Sequence, residues 1–206
     1  MHKVVHNASW KRLVAAVLDP LIRRKVALHK TPLDRYQVRV ARTVQEYEDA
    51  FRLVQLSYIY QGITRVDDGE LRITPQHTRP EATVLVVYEG DGIVGAMTVT
   101  GDSPAGLPLD KDYPRELAAL RQQGARLVEY GSYAIVERCW STGVSNLLYL
   151  AATVIASQIV RATNVVIGIN PTAARFYCAV FNFETLGQRR SHAELRDPVR
   201  ELVRKL

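Results

Sequence analysis

The segment from Val165 to Glu184 constrains the fold more than any other part of this 206-residue chain. Its β-branched apolar run, Val165-Val166-Ile167-Gly168-Ile169, predicts a buried strand. Asn170-Pro171 then starts a helix: an Asn oxygen can accept an otherwise orphaned N–H, and Pro suits the first helical position, where a missing N–H costs nothing. Asn182 stands where a left-handed C-cap residue is expected, and Phe183-Glu184 leads out. Strand, capped helix and exit make a βα unit, the building block of α/β proteins.

The rest of the chain extends that pattern. Tyr36–Arg42 alternates with strand period, and Thr43 begins a helix to about Tyr60, with Glu46 placed for a capping box. Residues 61–80 read as a long functional loop. Thr83–Tyr88 and Ile93–Thr100 predict a hairpin across Glu89-Gly90-Asp91-Gly92. Gly101–Pro114 is irregular, Arg115–Gln123 a short helix closed by Gly124, Arg126–Val136 a strand, Val144–Val160 a helix and Asn164–Ile169 a strand. Glu184–Arg190 suits another strand. The last segment is ambiguous: the fold calls for one more strand, whereas Val199, Leu202, Val203 and Leu206 have helical spacing.

Charge divides the chain at its N-terminal end. Residues 1–40 carry nine Lys or Arg against Asp19 and Asp34, a net of +7, and the remainder carries −1. A helical arm over residues 1–35 therefore precedes the domain 36–206, and its charge suits an acidic partner: protein, nucleic acid or anionic membrane. Cys139 and Cys178 are too few for a disulfide framework and have no metal-ligand spacing, so they read as small buried hydrophobes in a cytoplasmic protein. No apolar run is a convincing membrane span or signal peptide.

Asn170, Ala173 or Ala174, Tyr177, Asn182 and Phe183 resemble the N-x-x-A-x-x-Y-x-x-x-G-F motif of the GNAT N-acyltransferases, with Asn182 in place of Gly. Asp102-Ser103-Pro104-Ala105-Gly106-Leu107-Pro108-Leu109-Asp110, followed by Tyr113, Glu116 and Leu117, is similar to an insertion in the long-chain N-acyl amino acid synthases of that superfamily, the N-acyltyrosine synthases among them. Leu127-Val128-Glu129-Tyr130-Gly131-Ser132-Tyr133-Ala134-Ile135 resembles the corresponding strand of the acyl-homoserine lactone synthases, with Ser132 in place of their Arg. That departure weakens S-adenosylmethionine as an acceptor.

The resemblance implies an α/β, GNAT-like fold: a mixed central sheet whose fourth and fifth strands splay apart, with flanking helices. It implies transfer of a long fatty acyl group from the phosphopantetheine thioester of acyl carrier protein to the α-amine of an amino acid, with no metal or other cofactor and no nucleic acid partner. Peripheral membrane contact stays open. Tyr177 would protonate the leaving thiolate, backbone N–H groups of Tyr133, Ala134 and Ile135 would face the carbonyl oxygen, and Asn170 would fix the strand edge beside pantetheine.

Coenzyme A users carry a Gly-rich turn after the fourth strand, and here Arg138-Cys139-Trp140-Ser141-Thr142-Gly143 keeps one Gly and a bulky Trp. Carrier protein needs no pyrophosphate cradle, so it is the expected donor; an acyl-CoA enzyme acting on a small amine, or a non-catalytic binding module, are the alternatives. Arg138 and Trp140 are taken as substrate-binding, and Arg23, Arg24 and Lys25 as the carrier-docking cluster.

Glu129 is the candidate for handling the amine proton, because a carboxylate on a core strand is costly unless used or paired. Strand period puts it on one face with Gly131, Tyr133 and Ile135; the structural alternative is an ion pair with Arg126 or Arg138. His77 is a fallback base, and Arg65, Arg79 and Arg138 are candidates for an acceptor carboxylate. The uncharged helix Val144–Val160 is expected to line the acyl chain.

Overall fold

The β-branched runs assemble one mixed sheet. β1 (Tyr36–Val40), β2 (Ala82–Glu89), β3 (Gly92–Gly101) and β4 (Leu127–Ile135) pair antiparallel in sequence order, and β4 runs parallel to β5 (Asn164–Ile169). This computed structural model describes residues 35–65, 69–188, 190–191 and 198–206. The basic arm and its cluster Arg23, Arg24 and Lys25 lie outside the described residues.

Helices cover both faces. α1 (Val44–Tyr60) starts in the expected capping box: Glu46 N–H donates to Thr43 Oγ1 at 3.2 Å, and Thr43 N–H donates to the Glu46 carboxylate at 3.1 Å. Its apolar stripe, Ala50, Phe51 and Val54, packs on Val84, Val86, Ala96 and Ala134. α2 (Pro114–Gln122) follows the 102–113 insertion. α3 (Val144–Val154) lies on the opposite face, where Leu147, Leu148 and Ala152 are buried in the largest core cluster. The helix expected over Val144–Val160 ends its α-helical part at Val154 and continues as a π-helical turn, Ile155–Ile159.

Asn170 accepts the Thr172 N–H at 3.0 Å and caps a 3-10 turn, Pro171–Ala173, that feeds α4 (Ala174–Phe181). Asn182 ends α4 in the left-handed region, with φ 56° and ψ 37°. β6 (Glu184–Thr185) and β7 (Arg190–Ser191) follow, and both pair with β8 (Pro198–Lys205). β8 inserts antiparallel between β5 and β6, in the order β1-β2-β3-β4-β5-β8-β6. The C-terminal segment is thus a strand despite its helical spacing. Leu202 packs in the main core while Val203 packs with the α2 side, so β8 is apolar on both faces and does not alternate.

One irregularity shapes everything at the site. Between the pairs Ala96↔Ala134 and Thr98↔Gly131, β4 carries one more residue than β3. That is a β-bulge, with Ser132 in the left-handed region at φ 46°. Past it the alternation inverts. Glu129 therefore does not share a face with Tyr133 and Ile135, as strand period implied: these two pack on the α3 side with Val128 and Tyr130, and Ala134 packs under α1.

Candidate active site

The bulge bends β4 away from β5. Their registered pairing runs from Leu127↔Asn164 to Tyr130↔Ile167 and stops, while Gly168 and Ile169 continue to pair with β8. Into this fork opens a cavity of about 330 Å³, lined along its floor by Tyr133, Ala134 and Ile135 and opposite them by Gly168, Ile169 and Asn170. Ser57, Tyr58, Gln61 and Ile63, from the end of α1, close one wall. Tyr177 and Trp140 complete the lining, and Trp140 is half exposed, with its indole N–H donating to the Ile135 carbonyl at 3.3 Å.

Tyr177 reaches the cavity from α4 within an aromatic cluster of Tyr149, Phe176, Phe181 and Phe183. Burial raises its pKa, partly offset by a hydrogen bond with the Tyr149 hydroxyl. The phenol therefore keeps its proton at neutral pH. Tyr133 is held on the same side, its hydroxyl 2.7 Å from Ser145 Oγ, and burial raises its pKa too.

A second cavity, of about 120 Å³, adjoins the first and shares Tyr58 and Gly168 with it. Glu129, Arg72, Arg79 and Lys111 line it, with Gln76 and Ser132. Glu129 is buried and accepts the Leu109 N–H at 2.9 Å. The 102–113 insertion supplies that N–H. Arg121 binds Asp102 at 2.6 and 2.9 Å and Asp110 at 2.7 and 2.6 Å, folding the insertion around its guanidinium. Asp110 also accepts the Leu107 N–H at 2.7 Å, and Gly106 makes the turn at φ 71°, where an added Cβ would stand 2.9 Å from the Asp110 carboxylate. Arg79 donates to the Gly106 carbonyl at 2.6 Å.

Tyr58 stands between the two cavities. The backbone N–H of Tyr133 donates to its hydroxyl, and the Arg72 guanidinium lies 5.1 Å from its ring centroid. Burial raises its pKa, so it too is a neutral phenol. Nothing in the sequence singled out Tyr58, Arg72 or Gln76: each is one polar residue in an ordinary helix or loop, and only the fold brings them to β4.

Of the residues expected at the site, Tyr133, Ala134, Ile135, Trp140, Asn170 and Tyr177 meet in one cavity and Glu129 in its neighbour. Arg138 meets neither: it is exposed and pairs with Glu89, which also holds Arg35. Arg65 is exposed and lines neither cavity, whereas Arg79 lines the second. The helix Val144–Val160 lines neither cavity, because its apolar residues are spent in the core; α1 forms the wall instead. His77 is not a solvated loop residue either. Its Nδ1 accepts the Thr74 N–H at 3.0 Å, its Nε2 lies 3.0 Å from Ser132 Oγ, and burial, aided by Arg72, lowers its pKa to about 4. With that lone pair occupied it is not a base.

A mixed sheet forked between its fourth and fifth strands, with helices on both faces, is a GNAT-like α/β fold. The pattern described as "N-acyl amino acid synthase FeeM" matches residues 49–203, and the chain belongs to that family of acyl-transferring enzymes. Among solved structures it is similar to FeeM, an N-acyl amino acid synthase from uncultured soil microbes, with 21% identity over 83% of this chain and 92% of that one and a TM-score of 0.72. A putative N-acetyltransferase from Lactobacillus plantarum aligns at 16% identity over 83% and 98%, TM-score 0.57. The CoA-dependent acyl-homoserine lactone synthase BjaI aligns at 15% over 77% and 74%, TM-score 0.53. No match is found among curated proteins by sequence. No helix among the described residues is long and apolar enough to cross a membrane.

Proposed function

We propose that this enzyme moves a long fatty acyl group from acyl carrier protein to the α-amine of an amino acid. The observation that carries the reading is the pair of adjoining cavities, one apolar and tyrosine-lined in the β4–β5 fork, the other holding Glu129 with Arg72, Arg79 and Lys111. The fork takes the pantetheine thioester, whose carbonyl oxygen replaces the Tyr58 hydroxyl on the Tyr133 N–H. The second cavity takes an acceptor bearing both an amine and a carboxylate: the cations suit the carboxylate and Glu129 the ammonium.

In the step itself the amine nitrogen attacks the carbonyl carbon and the C–S bond breaks. Glu129 first takes one proton from the bound ammonium to free that amine; Tyr177 gives its proton to the departing thiolate and regains one as the amide nitrogen loses its second. An aromatic acceptor such as tyrosine suits the Tyr58 and Arg72 wall. Steady-state rates with matched dodecanoyl carrier-protein and dodecanoyl-CoA thioesters, against an amino-acid mixture read by mass spectrometry, test the reading. A higher kcat/KM with the carrier form and an N-acyl amino acid product are expected, with Glu129→Gln slowing turnover. Equal or better use of the CoA form, or product on simple amines alone, overturns it.

A further inference from the structure

Ser132 is a non-glycine residue held at φ 46° in the bulge that opens the fork. A conformation of that kind costs about 1–3 kcal/mol and persists only where surrounding contacts over-determine it. His77 Nε2 lies 3.0 Å from Ser132 Oγ, and the Gln76 amide donates to the same oxygen at 3.4 Å. The imidazole is fixed in turn by the Thr74 N–H on Nδ1 at 3.0 Å and by the Phe51 ring, 4.4 Å away between centroids. Because Nδ1 accepts, the neutral ring carries its proton on Nε2 and donates it to Ser132.

We propose that His77 is a positioning residue for acyl transfer: through Ser132 it clasps the β4 bulge and so fixes the Tyr133 N–H that receives the thioester oxygen. The proposal rests on the reading of the fork as the acyl-transfer site. A rigid line runs from the α1 core at Phe51, through the imidazole, to Ser132, and the donor is the next residue along β4. Imidazole suits the place because it is an acceptor toward its own turn and a donor toward β4, on one stiff ring. His77 lines neither cavity and does not touch substrate. Loosening the clasp leaves both cavities lined as before but moves the donor, and a misplacement of about 1 Å can cost on the order of 10²-fold in rate. The effect therefore belongs in kcat, not in donor binding.

The test compares His77→Phe, His77→Gln, Ser132→Ala and the double variants H77F/S132A and H77F/S132G with the wild type. It measures kcat, the KM of each substrate, and hydrogen exchange at the Tyr133 amide without substrate. Phe keeps the stack on Phe51 and removes the donor, so kcat should fall roughly 10- to 100-fold, by a misplacement of the size just given, with both KM values within about twofold. Gln, which can still donate, should restore most of the rate. H77F/S132A should be no slower than H77F alone, and H77F/S132G should recover, because Gly takes φ > 0 without a tether. The Tyr133 amide should exchange faster in H77F. Wild-type kcat in H77F, losses from H77F and S132A that multiply, or no recovery with Gly would overturn the clasp. Should the wild type transfer no acyl group, the functional reading falls while the exchange measurement still decides the clasp; should H77F not fold, the Gln and Ser132 variants decide it.

Discussion

Tyr177 is a phenol that burial keeps protonated, which is the state a general acid needs before the thiolate leaves. Tyr177→Phe removes one hydroxyl and keeps the ring contacts with Phe181 and Phe183. kcat should fall by roughly 10²–10⁴, the range for general acid help, with the donor KM nearly unchanged. Unaltered turnover would assign Tyr177 to packing. His77 supplies a second expectation at this scale. Its folded pKa of about 4 lies below the ordinary 6.5, so the unfolded chain binds the proton first as pH falls. Stability should therefore be complete above about pH 6.5, decline as pH falls towards about 4, and then level off, by an upper bound of ~3 kcal/mol. Urea midpoints at pH 7.5 and 4.5 check it: the part of the decline due to this group should vanish in H77F.

The insertion between β3 and α2 carried the sequence resemblance to the N-acyl amino acid synthases, and in the structure one arginine holds it together. Asp102 and Asp110 face Arg121, Gly106 makes the turn, and the insertion so held places the Leu109 N–H on Glu129 and brings Lys111 to the second cavity. Arg121→Met leaves two carboxylates facing each other at partly buried positions and should cost about 2 kcal/mol, between the exposed and the fully buried cases. Burial works to raise the Asp110 pKa, but its bonds to Arg121 and the Leu107 N–H outweigh this and the net is a lowered value. Its contribution is therefore present above its unfolded pKa and lost as pH falls through the lower folded one. The wild type should lose that increment in acid, and Arg121→Met, already without it, should not; urea unfolding across pH 3–7 reads both.

Element by element, the sequence was legible wherever a local rule governs the backbone: the Thr43–Glu46 capping box, the 82–101 hairpin and the left-handed Asn182 follow from side chains within a few residues. The bulge at Ser132 was not, because one extra residue in a strand leaves no mark on composition yet moves Tyr133 and Ile135 off the face of Glu129. The second cavity was legible only in part for a related reason. Arg72 and Gln76 reach β4 through a loop whose path is set by tertiary contacts such as the Arg72 N–H to the Phe51 carbonyl at 3.2 Å, not by any motif.

At the scale of the whole molecule the charge is concentrated in one place: residues 1–40 hold a net +7 while the rest of the chain holds −1. Acyl carrier proteins are acidic, so a basic arm would gather the donor before any specific contact forms. Steering by exposed charge acts on association rate and weakens as salt shortens the Debye length, ~10 Å at 0.1 M. Replacing Arg23, Arg24 and Lys25 together by Ala should raise the KM for acyl carrier protein at low salt and flatten its dependence on ionic strength. The KM for the amino acid should stay where it is, because the cations expected to hold its carboxylate, Arg72, Arg79 and Lys111, belong to the domain. The comparison to run is the two KM values at 20 and 200 mM salt, in wild type and triple variant. If instead the carrier KM is unchanged while vesicle binding or self-association drops, the arm serves a lipid surface or a second copy of the chain, and the fork meets its carrier through the domain alone.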